Sequence, residues 1–132
     1  MARFEPSDPP LTLIEFVTEH HLASLTTLRA DGSPHVVPVG FTFEPGRALV
    51  RVITFAGSRK ARNLFERPNS RAAVCQVDRG RWLTFEGAGQ VRSDAESNAE
   101  GVRRYAERYR VPKDRVDRVT IEIVVDTILG HV

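Results

Sequence analysis

Apolar positions recur first at helical and then at alternating spacing along the chain. Leu11, Ile14 and Val17 stand three residues apart behind Asp8-Pro9-Pro10. Asp8 is a good N-cap and the prolines suit a first turn, so a short helix is expected, ending near His20-His21. Leu22 to Ala30, the turn Asp31-Gly32, and His35 to Glu44 read as a β-hairpin. Pro38 cannot donate to a ladder and Gly40 has no side chain, so the second strand of this hairpin should be bulged, lie at an edge, or have something packed on its bare backbone. After Pro45-Gly46, Ala48 to Phe55 alternates as a third strand. Ser58 to Arg67 is helical in pattern and is stopped by Pro68-Asn69. Arg71 to Asp78 and Trp82 to Arg92, joined by Arg79-Gly80, are the fourth and fifth strands; Gly87 and Gly89 bracket Ala88, as where a strand bends sharply. Ser93 and Glu96 have capping-box spacing, and Ala95, Ala99, Val102, Ala106 and Tyr109 follow on one helical stripe. Pro112 ends that helix, and the β-branched run Val119 to Leu129 is a sixth strand, long enough to close a sheet.

Six strands with short turns and three helices segregated from them predict an α+β architecture, a small six-stranded antiparallel barrel with flanking helices, in one domain spanning residues 1–132. At this length about two thirds of the unfolded surface is buried, enough for a core without disulfides. The lone Cys75 cannot bridge within the chain and removes any cysteine-cage metal site. No apolar run approaches the roughly 18 to 20 residues that span a bilayer, and Met1-Ala2-Arg3-Phe4-Glu5-Pro6 lacks a signal-peptide apolar stretch. A soluble, cytoplasmic protein without membrane contact is therefore expected. Of the 19 basic residues only Lys60 and Lys113 are lysine, yet the net charge is just +2, so the placement of the basic residues matters more than their number.

The densest chemistry lies from Thr54 to Leu64, where a strand meets a helix N-terminus. Free N–H groups and the positive end of the helix dipole collect there, Gly57 allows close backbone approach, Ser58 can cap, and Arg59 and Lys60 add charge. These are the parts of a phosphate site. Lys60 and Asn63, three apart, share a helix face and could reach one anion. The competing reading, equally weighted on physics alone, is that Arg59, Lys60 and Arg62 solvate a surface helix.

The order of these motifs, with Thr54, Ser58-Arg59-Lys60, Pro68-Asn69 and then Arg81-Trp82-Leu83-Thr84-Phe85-Glu86-Gly87, resembles the pyridoxamine-phosphate-oxidase-like split β-barrel flavoproteins. The motifs cover Leu22 to Val91 and continue more loosely to the last strand. Within that superfamily, Leu25 to Phe43, Arg51-Val52-Ile53-Thr54, Lys60 with Asn63, and Gln76-Val77-Asp78 with Arg81-Trp82-Leu83 are similar to the deazaflavin-dependent branch. Arg81-Trp82 stands where the pyridoxamine phosphate oxidases proper carry Arg-Gln, and their long C-terminal substrate segment has no counterpart, so the resemblance does not extend to pyridoxamine phosphate oxidation.

The resemblance implies coenzyme F(420) as cofactor, with FMN as the alternative, and a homodimer with its sites at the interface. The cofactor ring is expected along Val36, Val37, Pro38 and Val39 and along Val52, Ile53 and Thr54. Ser58, Arg59, Lys60 and Asn63 would hold its phosphate, while Gln76, Arg81 and Trp82 would form the wall from the second chain. Trp82 has an equally weighted reading as core packing. The implied reaction passes hydride from F(420)H2 to a small conjugated acceptor bearing carboxylates, with biliverdin to bilirubin the leading candidate. The cofactor does the chemistry, so no catalytic side chain is expected. Arg103, Arg104 and Arg108 lie opposite the apolar stripe of the last helix and read either as a solvated face or as partners for substrate carboxylates. His20, His21, His35 and His131 lack ligand spacing, and no metal site is expected. Two binding readings without turnover compete: a flavin or tetrapyrrole carrier, and a nucleic-acid binder using Arg59, Lys60, Arg62, Arg67 and Arg71. The second lacks aromatics interleaved with its charges, so no nucleic-acid partner is expected.

Overall fold

A computed structural model describes residues 1–132. Its strands are β1 (Ala2–Phe4), β2 (Ala23–Leu28), β3 (Pro34–Val39), β4 (Thr42–Glu44), β5 (Leu49–Phe55), β6 (Arg71–Asp78), β7 (Arg81–Arg92) and β8 (Arg118–His131). Its helices are α1 (Leu11–Phe16), α2 (Arg59–Glu66) and α3 (Ala95–Arg108), with one 3-10 turn at Pro45–Arg47. No helix is long and apolar enough to cross a membrane.

All pairings are antiparallel, in the order β3-β2-β6-β7-β8-β5-β4, with β1 added to β8. The sheet thus has eight strands rather than the six expected, and its ladder does not close into a barrel. β1 is a three-residue strand with too little pattern to be read. The expected strand His35 to Glu44 is broken at Gly40-Phe41, because two tyrosines of α3 occupy the backbone there: a Cβ on Gly40 would lie 2.9 Å from the Tyr105 ring and 3.0 Å from that of Tyr109. The two edges, β3 and β4, are consecutive in the chain and only two residues apart. The sheet therefore curls until its edges meet at that link without pairing.

Alternation along β2, β5, β6, β7 and β8 sends Leu25, Val50, Val52, Val74, Leu83, Phe85, Ile121, Ile123 and Ile128 inward, where they form one core with Leu13 and Phe16 of α1 and Leu64 of α2. Gly87 sits at the sharp bend expected of it. The β7–β8 register slips between Glu86 and Gly87, and a Cβ at Gly87 would lie 2.0 Å from the Val124 carbonyl oxygen. Gly32 takes φ +84 in the β2–β3 turn, in the left-handed region that the Asp31-Gly32 pair predicts.

Two helix starts differ from expectation. α3 is capped by Asp94, whose carboxylate accepts from the Ser97 N–H at 3.0 Å, so the Ser93–Glu96 box does not form; Asp94 is the anionic and stronger acceptor. α1 starts at Leu11 behind Pro10, with no side-chain cap from Asp8. α2 starts as expected: the Ser58 hydroxyl accepts from the Ala61 N–H and from the Thr54 hydroxyl.

α3 packs closely because Gly101 meets Thr120 and Ile53. Its C-terminal turn is clamped by two side chains. The Tyr109 hydroxyl donates to the His21 carbonyl at 2.7 Å and accepts from the Phe41 N–H at 3.2 Å. Arg108 donates to the carbonyls of Glu19 and Phe41 and, at 2.6 Å, to the Gln76 side-chain oxygen.

Candidate functional site

Where the two sheet edges meet, α2 leaves β5 and α3 crosses Gly40. Between them lies a cleft of about 200 Å³. One wall is Pro38, Val39 and Gly40, with Ile53 of β5 and Lys60 of α2; the other is Tyr105, Pro112 and Arg118. β3 pairs only with β2, so its free side keeps unpaired peptide groups beside Ile53 and Lys60. A flat molecule with polar edges suits such a surface.

Charge at the cleft is one-sided. Lys60 is half-buried and forms no ion pair, and burial holds its ammonium below the ordinary lysine value. Arg59 is exposed and also unpaired by any carboxylate. Arg118 donates to the carbonyls of Lys113 and Thr54, and Arg29 to that of Pro34. Behind Lys60, the imidazole of His35 is held below its usual value first by burial and then by the fields of Arg29, Lys60 and Arg59. Its Nδ1 is buried without a partner. Elsewhere the arginines are mostly neutralised: Arg51 by Glu44, Arg81 by Glu19 and Asp78, Arg92 by Glu122, Arg103 by Glu100 and Glu107. Uncompensated positive charge gathered beside a cleft is what an anionic ligand requires.

Of the residues singled out from sequence, Pro38, Val39, Ile53 and Lys60 line the cleft, while Thr54 and Ser58 are buried at the start of α2 and Arg59 is exposed on its first turn. Val36 projects from the outer face, Val37 is half-buried against the core, and Val52 is fully buried within it. Two expectations, for Asn63 and Gln76, need correction. Asn63 does not share an open face with Lys60: it is 1% exposed and its amide donates to the Thr27 hydroxyl at 3.0 Å, because α2 turns that side chain onto β2. Gln76 cannot form a wall for a second chain, since it is fully buried, donating to the Phe16 carbonyl and accepting from Arg108. Arg81 is committed to Glu19 and Asp78 and stacks on Phe16. Trp82 is half-buried, outside the core, on the outer face of β7 opposite Val77 and His131.

Arg103, Arg104 and Arg108 are not free for a substrate either. The first two bind Glu100, Arg104 also binds Glu44, and Arg108 serves the α3 clamp. A larger polar basin of about 680 Å³ on the far side of α3 is ringed by Arg51, Arg92, Arg103, Glu44, Glu100 and Glu122, whose charges cancel in pairs. Glu19, His21 and Asp78 bring ligand-type atoms within 4.8 Å of one another, but Arg81 already occupies both carboxylates. Sequence reasoning missed Tyr105, Pro112 and Arg118, which reach the cleft only through the packing of α3 and β8, and it set His35 aside because its spacing to other histidines carries no signal.

The fold is thus an antiparallel sheet curled around its core, with a basic cleft at its meeting edges. The sequence agrees: residues 12–131 match the family model described as pyridoxamine 5'-phosphate oxidase, and the chain belongs to that family. It is 49% identical over 117 residues to the F(420)H(2)-dependent biliverdin reductase of Mycobacterium tuberculosis, covering 89% of this chain and 84% of that one. Among solved structures, a conserved hypothetical protein of Mycobacterium tuberculosis aligns with TM-score 0.76 at 25% identity, over 93% of this chain and 84% of the other. A protein described as an F(420) reductase aligns with TM-score 0.70 at 23% identity, over 87% and 94%.

Proposed function

We propose that this protein is an F(420)H2-dependent reductase that delivers hydride to a conjugated, carboxylate-bearing acceptor, with biliverdin reduced to bilirubin. The observation that carries the reading is the cleft at the free edge of β3 with its ion-pair-free Lys60, and Arg59 beside it on α2, set beside 49% identity to a reductase of that name. The residues fit a planar cofactor with an anionic tail. Pro38, Val39 and Ile53 offer an apolar bed for the ring, the free edge of β3 offers peptide donors and acceptors to the ring's rim, and Arg59 and Lys60 face the tail. A bound deazaflavin supplies a two-electron hydride donor that reacts poorly with oxygen. The chain's own residues orient the ring, limit water and balance charge, and no side chain need donate or accept hydride. Reduction of biliverdin adds a hydride and a proton, and the reduced coenzyme carries both.

We further propose a homodimer. The outer face of β3, β2, β6 and the start of β7 presents Val36, Pro38, Ser24, Cys75, Val77, Trp82 and Thr84, with Val36 57% and Val77 62% exposed. Few charges interrupt this face, and a two-fold copy placed there would bring Trp82 toward the open side of the cofactor strand. Light scattering at micromolar concentration should give twice the chain mass; a monomer contradicts this.

The cofactor reading is tested by fluorescence titration with oxidised F(420) and, separately, with FMN. Micromolar or tighter binding of F(420) in preference to FMN is expected. Preference for FMN would overturn the assignment while leaving the cleft in place, and binding of neither would favour a carrier of another ligand.

A further inference from the structure

We infer that His35 is a proton-coupled anion contact: neutral in the free protein, it takes up a proton as an anionic cofactor tail enters the cluster formed by Arg29, Arg59 and Lys60. This rests on the proposed cofactor reading and adds to it a residue and a linkage.

The placement of His35 carries the argument. It lies on the edge strand β3 directly opposite Thr27 of β2. Residues paired in this way project from the same side of the sheet, and Thr27 is fully buried beneath α2, where its hydroxyl accepts from Asn63. Between β2, β3 and α2 there is thus a polar layer of His35, Thr27 and Asn63. Two of its buried atoms, His35 Nδ1 and Asn63 Oδ1, have no hydrogen-bond partner. Buried polar atoms are nearly always satisfied, so a layer with two orphans is complete only when a polar group arrives or a proton is added.

The charged groups whose fields reach His35 are Arg29 on the β2–β3 turn and Arg59 and Lys60 on α2, and all are cations. The Asp31 carboxylate on the same turn acts on Arg29, whereas Arg59 and Lys60 form no ion pair. In the free protein these three charges, together with burial, disfavour a fourth positive charge, and the imidazole is neutral near pH 7. An anion among the cations cancels their field. The imidazolium then costs less, and both ring nitrogens become donors. By linkage, a group protonated in the complex and not in the free protein makes binding tighten as pH falls through the range between its two pKa values.

The experiment is isothermal titration calorimetry of the full chain with oxidised F(420) in two buffers of different ionisation heat, repeated on His35→Gln. Protonation of the coenzyme itself is common to both proteins and cancels in the comparison. Wild type should take up a measurable fraction of a proton per site more than the variant at pH 7, and should bind about tenfold more tightly, the loss matching one charge-assisted hydrogen bond. A deazaflavin lacking the phosphate tail should bind both proteins alike. Should the variant fold poorly, nitrogen-15 shifts of His35 in wild type give the same answer: they should move toward imidazolium when F(420) is added. F(420) binding with no shift and no excess proton uptake overturns the role of His35 and leaves the cofactor reading intact, whereas failure of F(420) to bind at all overturns both.

Discussion

Replacing Arg108 by Met tests whether this arginine holds the fold or serves a substrate. Its guanidinium reaches the carbonyls of Glu19 and Phe41 and the side-chain oxygen of Gln76, and stacks 4.7 Å from the Phe41 ring centroid. Not all of these acceptors would be stranded. The Glu19 carbonyl keeps the His21 N–H, and the Phe41 carbonyl keeps a longer, shared contact at 3.3 Å with the Tyr109 hydroxyl, whose shorter bond goes to His21. Only the oxygen of the fully buried Gln76 loses its sole partner. One orphaned buried acceptor costs about 1–3 kcal/mol, and the lost cation–π contact roughly 1 kcal/mol. Recovered desolvation offsets part of this, because burial holds the Arg108 guanidinium below its ordinary value. A net loss of about 2–3 kcal/mol lowers Tm by roughly 10 °C in a chain of this size. Thermal unfolding followed by circular dichroism reads it directly. Arg108→Met combined with Gln76→Leu should lose less than the sum of the single variants, since each removes the other's stranded group. An unchanged Tm for Arg108→Met, with a raised KM for the acceptor, would refute the structural role and restore the reading in which this arginine binds substrate carboxylates.

Lys60→Met should weaken F(420) binding about 10- to 100-fold, the range expected for one charge-assisted contact, while Tm holds or rises because no protein group loses a partner; an unchanged affinity in the fluorescence titration would remove Lys60 from the site. Glu100 is pushed down to about 2, first by Arg103 and then by Arg104. Its folded value lies below its ordinary 4.5, so its contribution to stability is present above that pH and is lost as pH falls from 4.5 toward 2. The Tm difference between wild type and Glu100→Gln should therefore shrink across that interval and vanish near its lower end.

Much of the fold was legible because periodicity reports which side of an element is buried. β6, β7 and β8 fall within a residue or two of the expected ranges, and α2 starts at its Ser58 cap. The misses have physical causes. β1 is too short to show a period. β3 and β4 read as one strand because the break at Gly40 is imposed by Tyr105 and Tyr109 from far along the chain. Of the expected site residues, Lys60, Pro38 and Ile53 line the candidate cleft, since a strand leading into a capped helix is readable in sequence. Spacing could not tell that Asn63 and Gln76 face inward. Their burial depends on Thr27, Phe16 and Arg108, contacts that cross 32 to 60 residues. The same limit hid His35, whose significance comes from the cations around it rather than from its neighbours in the chain.

The central claim is catalytic, and one anaerobic measurement reaches it most directly: reduced F(420), biliverdin and the purified protein mixed together, with coenzyme absorbance and bilirubin followed in time. Protein-dependent reoxidation of the coenzyme is expected, with one bilirubin formed per coenzyme oxidised. Reoxidation no faster than in the absence of protein, under conditions where F(420) binds, would contradict it.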